Sequence, residues 1–356
     1  MMRTTGTERV PGTEPARWET IEKTPAERAA ANLTDYQPAY REFTWAAARS
    51  AVPPQPDGGI NIAYRAVDRH LGTPLADAPA VRWRGADGQR VTLTYAELAS
   101  LSDRFANVLR TLGVRRGERV CTLLGRTPEL YVAILGAWKA GCVVVPLFSA
   151  FGPEPVRQRL TISGASTLIT TVGMYRRKVA PHRAQLPALN HVIVTDADIE
   201  AEPLDDTVDL TLAMATADAE FPIVHTQAED PAILHFTSGT TGTPKGAVHV
   251  HGAVLAHEIS ARNALDLRPG DIYWCTADPG WVTGMSYGVI APFALGATLI
   301  CDEDEFDARR WYRVLTEEQV AVWYTAPTAL RMLMRYGDEL PEGTDLSRLR
   351  FVASVG

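Results

Sequence analysis

The chain has 356 residues, 46% of them hydrophobic, enough to bury a substantial core in one large or two closely packed α/β units. A formal charge of −7, with Lys and Arg scattered rather than clustered, excludes the basic footprint of a protein that binds nucleic acid or an anionic membrane. Cys121, Cys142, Cys275 and Cys301 lie far apart with no CxxC spacing, which argues against a zinc site or disulfide framework and for reduced, buried thiols in a cytoplasmic protein.

Residues 1–31 are polar and lack the apolar stretch of a secretory signal. Residues 1–58 read as an extended leader that wraps the fold, with a short helical pattern over 36–51 and the breaker Pro53-Pro54-Gln55-Pro56-Asp57-Gly58-Gly59. From residue 59 to 356 the pattern is regular. A helix is predicted over 61–70 and a hairpin pair over 80–83 and 89–92. Thr94 and Glu97 then form a capping box that opens a helix ending at Gly113, with Leu98, Leu101, Phe105, Val108, Leu109 and Leu112 on one face. Strands follow at 120–124, 143–147 and 167–171, separated by helices at 129–140 and 153–163. Apolar strands alternating with helices mark parallel sheets covered on both faces, so the fold class is α/β, with parallel-rich sheets flanked by helices in layers. Further strands are expected at 191–195 and 232–236, with the acidic, weakly periodic stretch 196–222 between them as a surface excursion. The most apolar long run, 288–301, is too short to cross a bilayer and is broken by Pro292, so it reads as core.

The strand at 232–236 leads into Thr237-Ser238-Gly239-Thr240-Thr241-Gly242-Thr243-Pro244-Lys245-Gly246. Three glycines let the backbone approach an anion, hydroxyls and N–H groups can surround phosphate oxygens, and Lys245 adds a mobile positive charge. A flexible surface linker is the bland alternative, disfavoured by the strand before the loop and the lysine after Pro244. The Walker loop of P-loop NTPases requires Gly-Lys followed by Ser or Thr; here Pro244 precedes Lys245 and Gly246 follows it, so that pattern fails.

The loop resembles the signature of the adenylate-forming, AMP-binding superfamily at nearly every position. Leu93-Thr94-Tyr95-Ala96-Glu97-Leu98 and Gly136-Ala137-Trp138-Lys139-Ala140-Gly141 with Val145-Pro146-Leu147 are similar to other motifs of that family, and the resemblance covers roughly residues 30–356. Within the family, the run from Asp271 to Gly284 containing Trp281-Val282-Thr283, the run from Val322 to Leu333, and the segment from Asn61 to His70 resemble acetate–CoA ligases.

The resemblance implies ATP-dependent activation of acetate to acetyl-AMP, then transfer to CoA, with ATP, Mg2+ and CoA as the small-molecule partners. Propionate or another short or medium acid is the nearest alternative; a non-catalytic nucleotide-binding remnant is another. It also implies roles for particular residues. Thr237 and Lys245 act in the first step, and Thr237, Ser238, Gly239, Thr240, Thr241, Gly242, Thr243, Lys245 and Gly246 hold the ATP phosphates. Trp281, Val282 and Thr283 line the acetate pocket, while Arg176, Arg177 and Lys178 face the nucleotide end of CoA. His249 and His251 are expected to be structural, and no metal ligands are assigned. The family continues beyond the strand at 349–355 into an adenine-stacking turn and a small lid domain with a catalytic lysine. The expectation is therefore a truncated large domain with little activity alone and an unfinished sheet edge that lowers solubility.

Overall fold

The computed structural model describes residues 23–196, 204–237, 243–337, 339–340 and 343–355. Thirteen strands among them form two sheets. In chain order they are β1 (Pro79–Arg84), β2 (Arg90–Thr94), β3 (Arg119–Leu123), β4 (Val143–Pro146), β5 (Thr167–Thr170), β6 (His191–Val194), β7 (Thr207–Asp209), β8 (Pro231–Thr237), β9 (Lys245–Val250), β10 (Ile272–Cys275), β11 (Thr298–Asp302), β12 (Val322–Thr325) and β13 (Phe351–Ser354). One sheet runs β13-β12-β10-β11-β1-β2 and the other β7-β6-β5-β3-β4-β8-β9. Each is parallel except for one edge strand: β2 pairs antiparallel with β1, and β9 with β8.

Side-chain alternation along the strands explains the layers. Successive residues of a strand face opposite sides, and in the central strands both sides are buried. Tyr273, Leu299, Val322 and Tyr324 face a central core that also receives Val120, Val144, Ile169 and Ile193 from the other sheet. Their neighbours Trp274, Ile300 and Trp323 turn outward onto Trp311, Val314 and Leu315 of the helix Ala308–Glu317. Cys121, Val145, Leu168 and Val192 turn outward onto Val156 and Leu160 of the helix Pro153–Ser163. The helices Tyr95–Thr111 and Pro128–Lys139 fill the space between the sheets with Leu98, Phe105, Leu109, Ile134 and Trp138. The layered α/β expectation therefore holds. The Thr94–Glu97 capping box forms as read, each partner receiving the other's backbone N–H.

Two expectations are corrected and a third is refined. The stretch taken as a surface excursion contains β7, which extends a sheet beside β6, and the helix Leu210–Thr216, which buries Leu210. Three-residue strands and two-turn helices are too short to show a clear period. The helical pattern at 36–51 is two helices, Tyr36–Glu42 and Trp45–Ser50, the second capped by Thr44, and a further helix at Pro25–Ala30 was not predicted. The apolar run at 288–301 is core, but it bends from a π-helical turn (Ser286–Ile290) through a short helix (Ala291–Ala294) into β11. Among the described residues, no helix is long and apolar enough to cross a membrane.

Candidate active site

In open parallel sheets, ligands sit beyond the carboxyl ends of the strands. The segments leaving those ends in the two sheets meet here. The chain after β4 passes through Leu147-Phe148-Ser149-Ala150-Phe151, and the chain after β10 through Thr276-Ala277-Asp278-Pro279-Gly280-Trp281. Their backbones touch: a Cβ on Gly280 would lie 2.4 Å from the Phe148 nitrogen, so only glycine permits the crossing. Trp281 is the N-cap residue of the short helix Val282–Met285, and its indole lies 5.3 Å from the Phe148 ring and 6.1 Å from that of Phe151. It remains 46% exposed and Val282 38% exposed. An indole packed against two phenylalanines and still nearly half exposed is a wall, not a core residue.

Asp278 joins these segments. Its carboxylate accepts from the Ser149 hydroxyl at 3.2 Å and from the Gly280 N–H at 2.7 Å. Burial holds this carboxyl above the usual carboxylate range, against the Gly280 hydrogen bond and the nearby Arg126 charge. The end of β12 borders the same region, with Thr276 Oγ1 and Thr325 Oγ1 2.8 Å apart.

The phosphate-loop candidates divide. Ser238, Gly239, Thr240, Thr241 and Gly242 lie outside the described residues. Thr237 ends β8 opposite Lys245, which begins β9; both are exposed, and Thr237 Oγ1 donates to the Lys245 carbonyl at 3.5 Å. Gly246 is held against Leu234, where a Cβ would approach its Cδ1 to 2.8 Å. Thr243 borders a cavity of about 280 Å3 with Arg157, Gln158 and Thr161. Arg159 connects this hairpin to the aromatic wall, since its guanidinium stacks over Phe151 at 4.2 Å and over Phe236 at 5.7 Å.

The basic run forms a π-helical turn, Tyr175–Val179, beyond β5. Arg176 and Arg177 are exposed, while Lys178 turns inward and donates to the Ser149 carbonyl. Desolvation lowers the Lys178 pKa, helped by the Arg177 charge. The structure thus brings Lys178 to the Phe148–Phe151 segment and leaves Arg176 and Arg177 on its outer side.

Sequence reasoning missed Phe148, Ser149, Phe151, Asp278 and Arg159. The available signal was position, since the first four follow directly on the carboxyl ends of β4 and β10. A roomier cavity, about 440 Å3 between Trp45, Pro54, Tyr64 and Leu255, lies at the opposite end of the β8–β9 hairpin and contains none of the candidate residues. The chemistry, rather than cavity size, locates the site.

His251 is buried, and its Nδ1 accepts the Ile62 N–H at 3.1 Å, a structural role. His249 lies beside buried His235, ring to ring at 5.5 Å. All four cysteines are free and buried, and burial raises their thiol pKa values, to about 12 for Cys142, Cys275 and Cys301.

The AMP-binding enzyme family profile matches residues 68–356. The acetyl-coenzyme A synthetase of Bacillus subtilis is 40% identical over 326 residues, 91% of this chain and 56% of that protein, and the one from Magnetococcus marinus is 38% identical over 315 residues, 83% and 48%. The crystal structure of a Brucella canis acyl-CoA synthetase superposes with a TM-score of 0.82 at 34% identity, over 90% of this chain and 57% of that one. The chain spans about half the length of these relatives. With its profile match, its layered sheets and its crossing of segments beyond β4 and β10, the chain belongs to the AMP-binding enzyme family.

Proposed function

We propose that this chain carries the ATP- and acid-binding part of an AMP-forming acid–thiol ligase whose acid is acetate. The observation that carries the reading is Trp281, backed by Phe148 and Phe151 beside the crossing of the two sheets' loops. In the first half-reaction the acid's carboxylate oxygen attacks the α-phosphorus of ATP; a P–O bond forms, the bond to the pyrophosphate oxygen breaks, and acyl-AMP remains. In the second, the CoA sulfur attacks the acyl carbon, the C–O bond to phosphate breaks, AMP leaves and the thiol proton is released. No protein nucleophile takes part. The work is to hold two anions in line and disperse phosphate charge.

Lys245, Thr237 and the backbone between them hold the phosphates, and the Trp281, Val282 and Thr283 turn abuts the acid. Lys178, with Arg176 and Arg177, forms the basic approach for the nucleotide end of CoA. Among the described residues, no group of three or more His, Cys, Asp or Glu is placed to hold a metal ion. Magnesium arriving with the nucleotide would neutralise charge on its phosphates.

An indole at the acid position excludes volume that each further methylene needs, worth about 1–3 kcal/mol per methylene. Pyrophosphate release by the full polypeptide, measured with acetate, propionate, butyrate and hexanoate, should be highest with acetate and fall at each added methylene. A maximum at butyrate or beyond would sink the acetate assignment, and no acid-dependent release would sink the ligase.

A further inference from the structure

We propose that Asp278 is a positioning residue for the acid substrate: by tying Ser149 of one sheet's loop to the Gly280 turn of the other, it fixes the depth of the Trp281 indole and thereby the chain length accepted. The proposal rests on the reading that Trp281 borders the acid.

The geometry assigns Asp278 to holding, not to reacting. Both carboxylate oxygens are spent inward, one on the Ser149 hydroxyl at 3.2 Å and the other on the Gly280 N–H at 2.7 Å. Its own carbonyl oxygen accepts the Trp281 N–H at 2.9 Å. Asp278 therefore grips the turn from both its side chain and its backbone, one residue on each side of Pro279 and Gly280. Each carboxylate oxygen thus already accepts one hydrogen bond from the protein's own loops.

The turn has no room to relax around it. A Cβ on Gly284 would fall 2.0 Å from the Asp278 carbonyl oxygen, and one on Gly280 2.5 Å from the Phe148 Cα. The indole itself is held loosely by comparison, nearly half exposed and packed through tilted and edge-on contacts with Phe148 and Phe151. Its depth is consequently set by the backbone that carries it. Ser149 is the counterpart on the other sheet, since its hydroxyl donates to Asp278 and its carbonyl accepts from Lys178. The only covalent route between Ser149 and Asp278 runs through more than 120 residues, so without this side-chain link the two loops are joined by packing alone.

Calorimetric titration of the 356-residue chain with non-hydrolysable acetyl-, propionyl- and butyryl-adenylate analogues tests the assignment. Asp278→Ala should reduce the preference for the acetyl over the butyryl analogue by roughly tenfold, the effect of about one charged hydrogen bond. Ser149→Ala should reduce it less. Asp278→Asn should keep it within about twofold, because the amide oxygen still accepts from Gly280 and the amide nitrogen can donate to the Ser149 oxygen. Labelling the eight tryptophans with 5-fluorotryptophan supplies a second readout. The Trp281 fluorine resonance, assigned by Trp281→Phe, should move in Asp278→Ala and return in Asp278→Asn while dispersion of the others shows an intact fold. Should Asp278→Ala fail to fold, Ser149→Ala carries the test. An unchanged analogue preference in folded Asp278→Ala and Ser149→Ala overturns the positioning role alone. Absence of analogue binding by the unaltered chain overturns the reading of the site, and this proposal with it.

Discussion

Gly284 shows how little freedom single residues have at the crossing. Its Cβ position is filled by backbone, the Asp278 carbonyl, which cannot swing away as a flexible side chain could. Gly284→Ala is expected to cost about 1–3 kcal/mol of unfolding free energy, the usual range for overpacking, measured by urea titration. His251 makes a separate point about charge. Burial, opposed by Asp230 and aided by Arg116, lowers its pKa to about 4 from an ordinary 6.5, and its Nδ1 must stay unprotonated to accept the Ile62 N–H. The unfolded chain therefore takes up the proton first. Stability is retained above pH 6.5 and lost as pH falls from 6.5 towards 4, by up to about 3 kcal/mol from this residue. His251→Gln keeps an acceptor and removes the titration, so unfolding free energies between pH 7 and 4 should fall less steeply than in the unaltered chain. An identical slope would contradict this account. The sequence supports the structural role of His251, having no partner acid or nucleophile near it, but not the Ile62 amide, which lies 189 positions away.

Helices and strands depend on groups that their own periods do not reveal. Lys139, in the helix Pro128–Lys139, is fully buried and donates to Asp68 at 2.7 Å, Asp103 at 2.9 Å and the Ala99 carbonyl at 3.1 Å. It links the turn at Asp68–His70, the helix Tyr95–Thr111 and its own helix. Burial raises the Asp103 pKa to about 6 despite the lysine. Lys139→Met removes the only cation among these contacts and leaves two carboxylates facing an apolar side chain, so a loss of about 3–5 kcal/mol is expected at pH 8. A carboxyl whose folded pKa exceeds its unfolded value destabilises as pH rises through the folded pKa. The loss should accordingly shrink at pH 5, where protonation relieves the mutant, and urea unfolding at the two pH values checks both sign and size. Lys139 stands in a motif legible in the sequence, yet helical spacing alone places it on an apolar face without saying that two aspartates await it. The hairpin β1–β2 and the capping box at Thr94 were legible because their partners lie within a few residues. The helix Leu210–Thr216 was not, because its end is held by distant residues: Arg104 donates to the Met214 carbonyl within it and the Ala217 carbonyl after it, and Asn107 to the Asp218 and Glu220 carbonyls that follow.

Across the whole molecule, one central core receives side chains from both sheets, which is why neither sheet is a separate unit. The β13 edge is the exposed counterpart of that core. Val352 is 44% exposed there and pairs in register with Trp323 of β12. Unpaired strand edges bearing apolar residues template self-association, and a lysine blunts them. Val352→Lys is expected to raise the monomer fraction in sedimentation velocity at high protein concentration, and an unchanged fraction would show that this edge does not drive self-association.

The sequence by itself determined most of the elements, the layered α/β class and, through resemblance, the family, because alternation, capping and motif spelling are properties of neighbouring residues. Only the tertiary structure decided that β1 joins β11 while β4 joins β8, and that Ser149, Lys178, Asp278 and Trp281 converge. An apolar strand advertises burial on both faces without naming its partner. Partner choice is settled by packing between segments far apart in the chain, and with it the place where two loops cross closely enough to form a site.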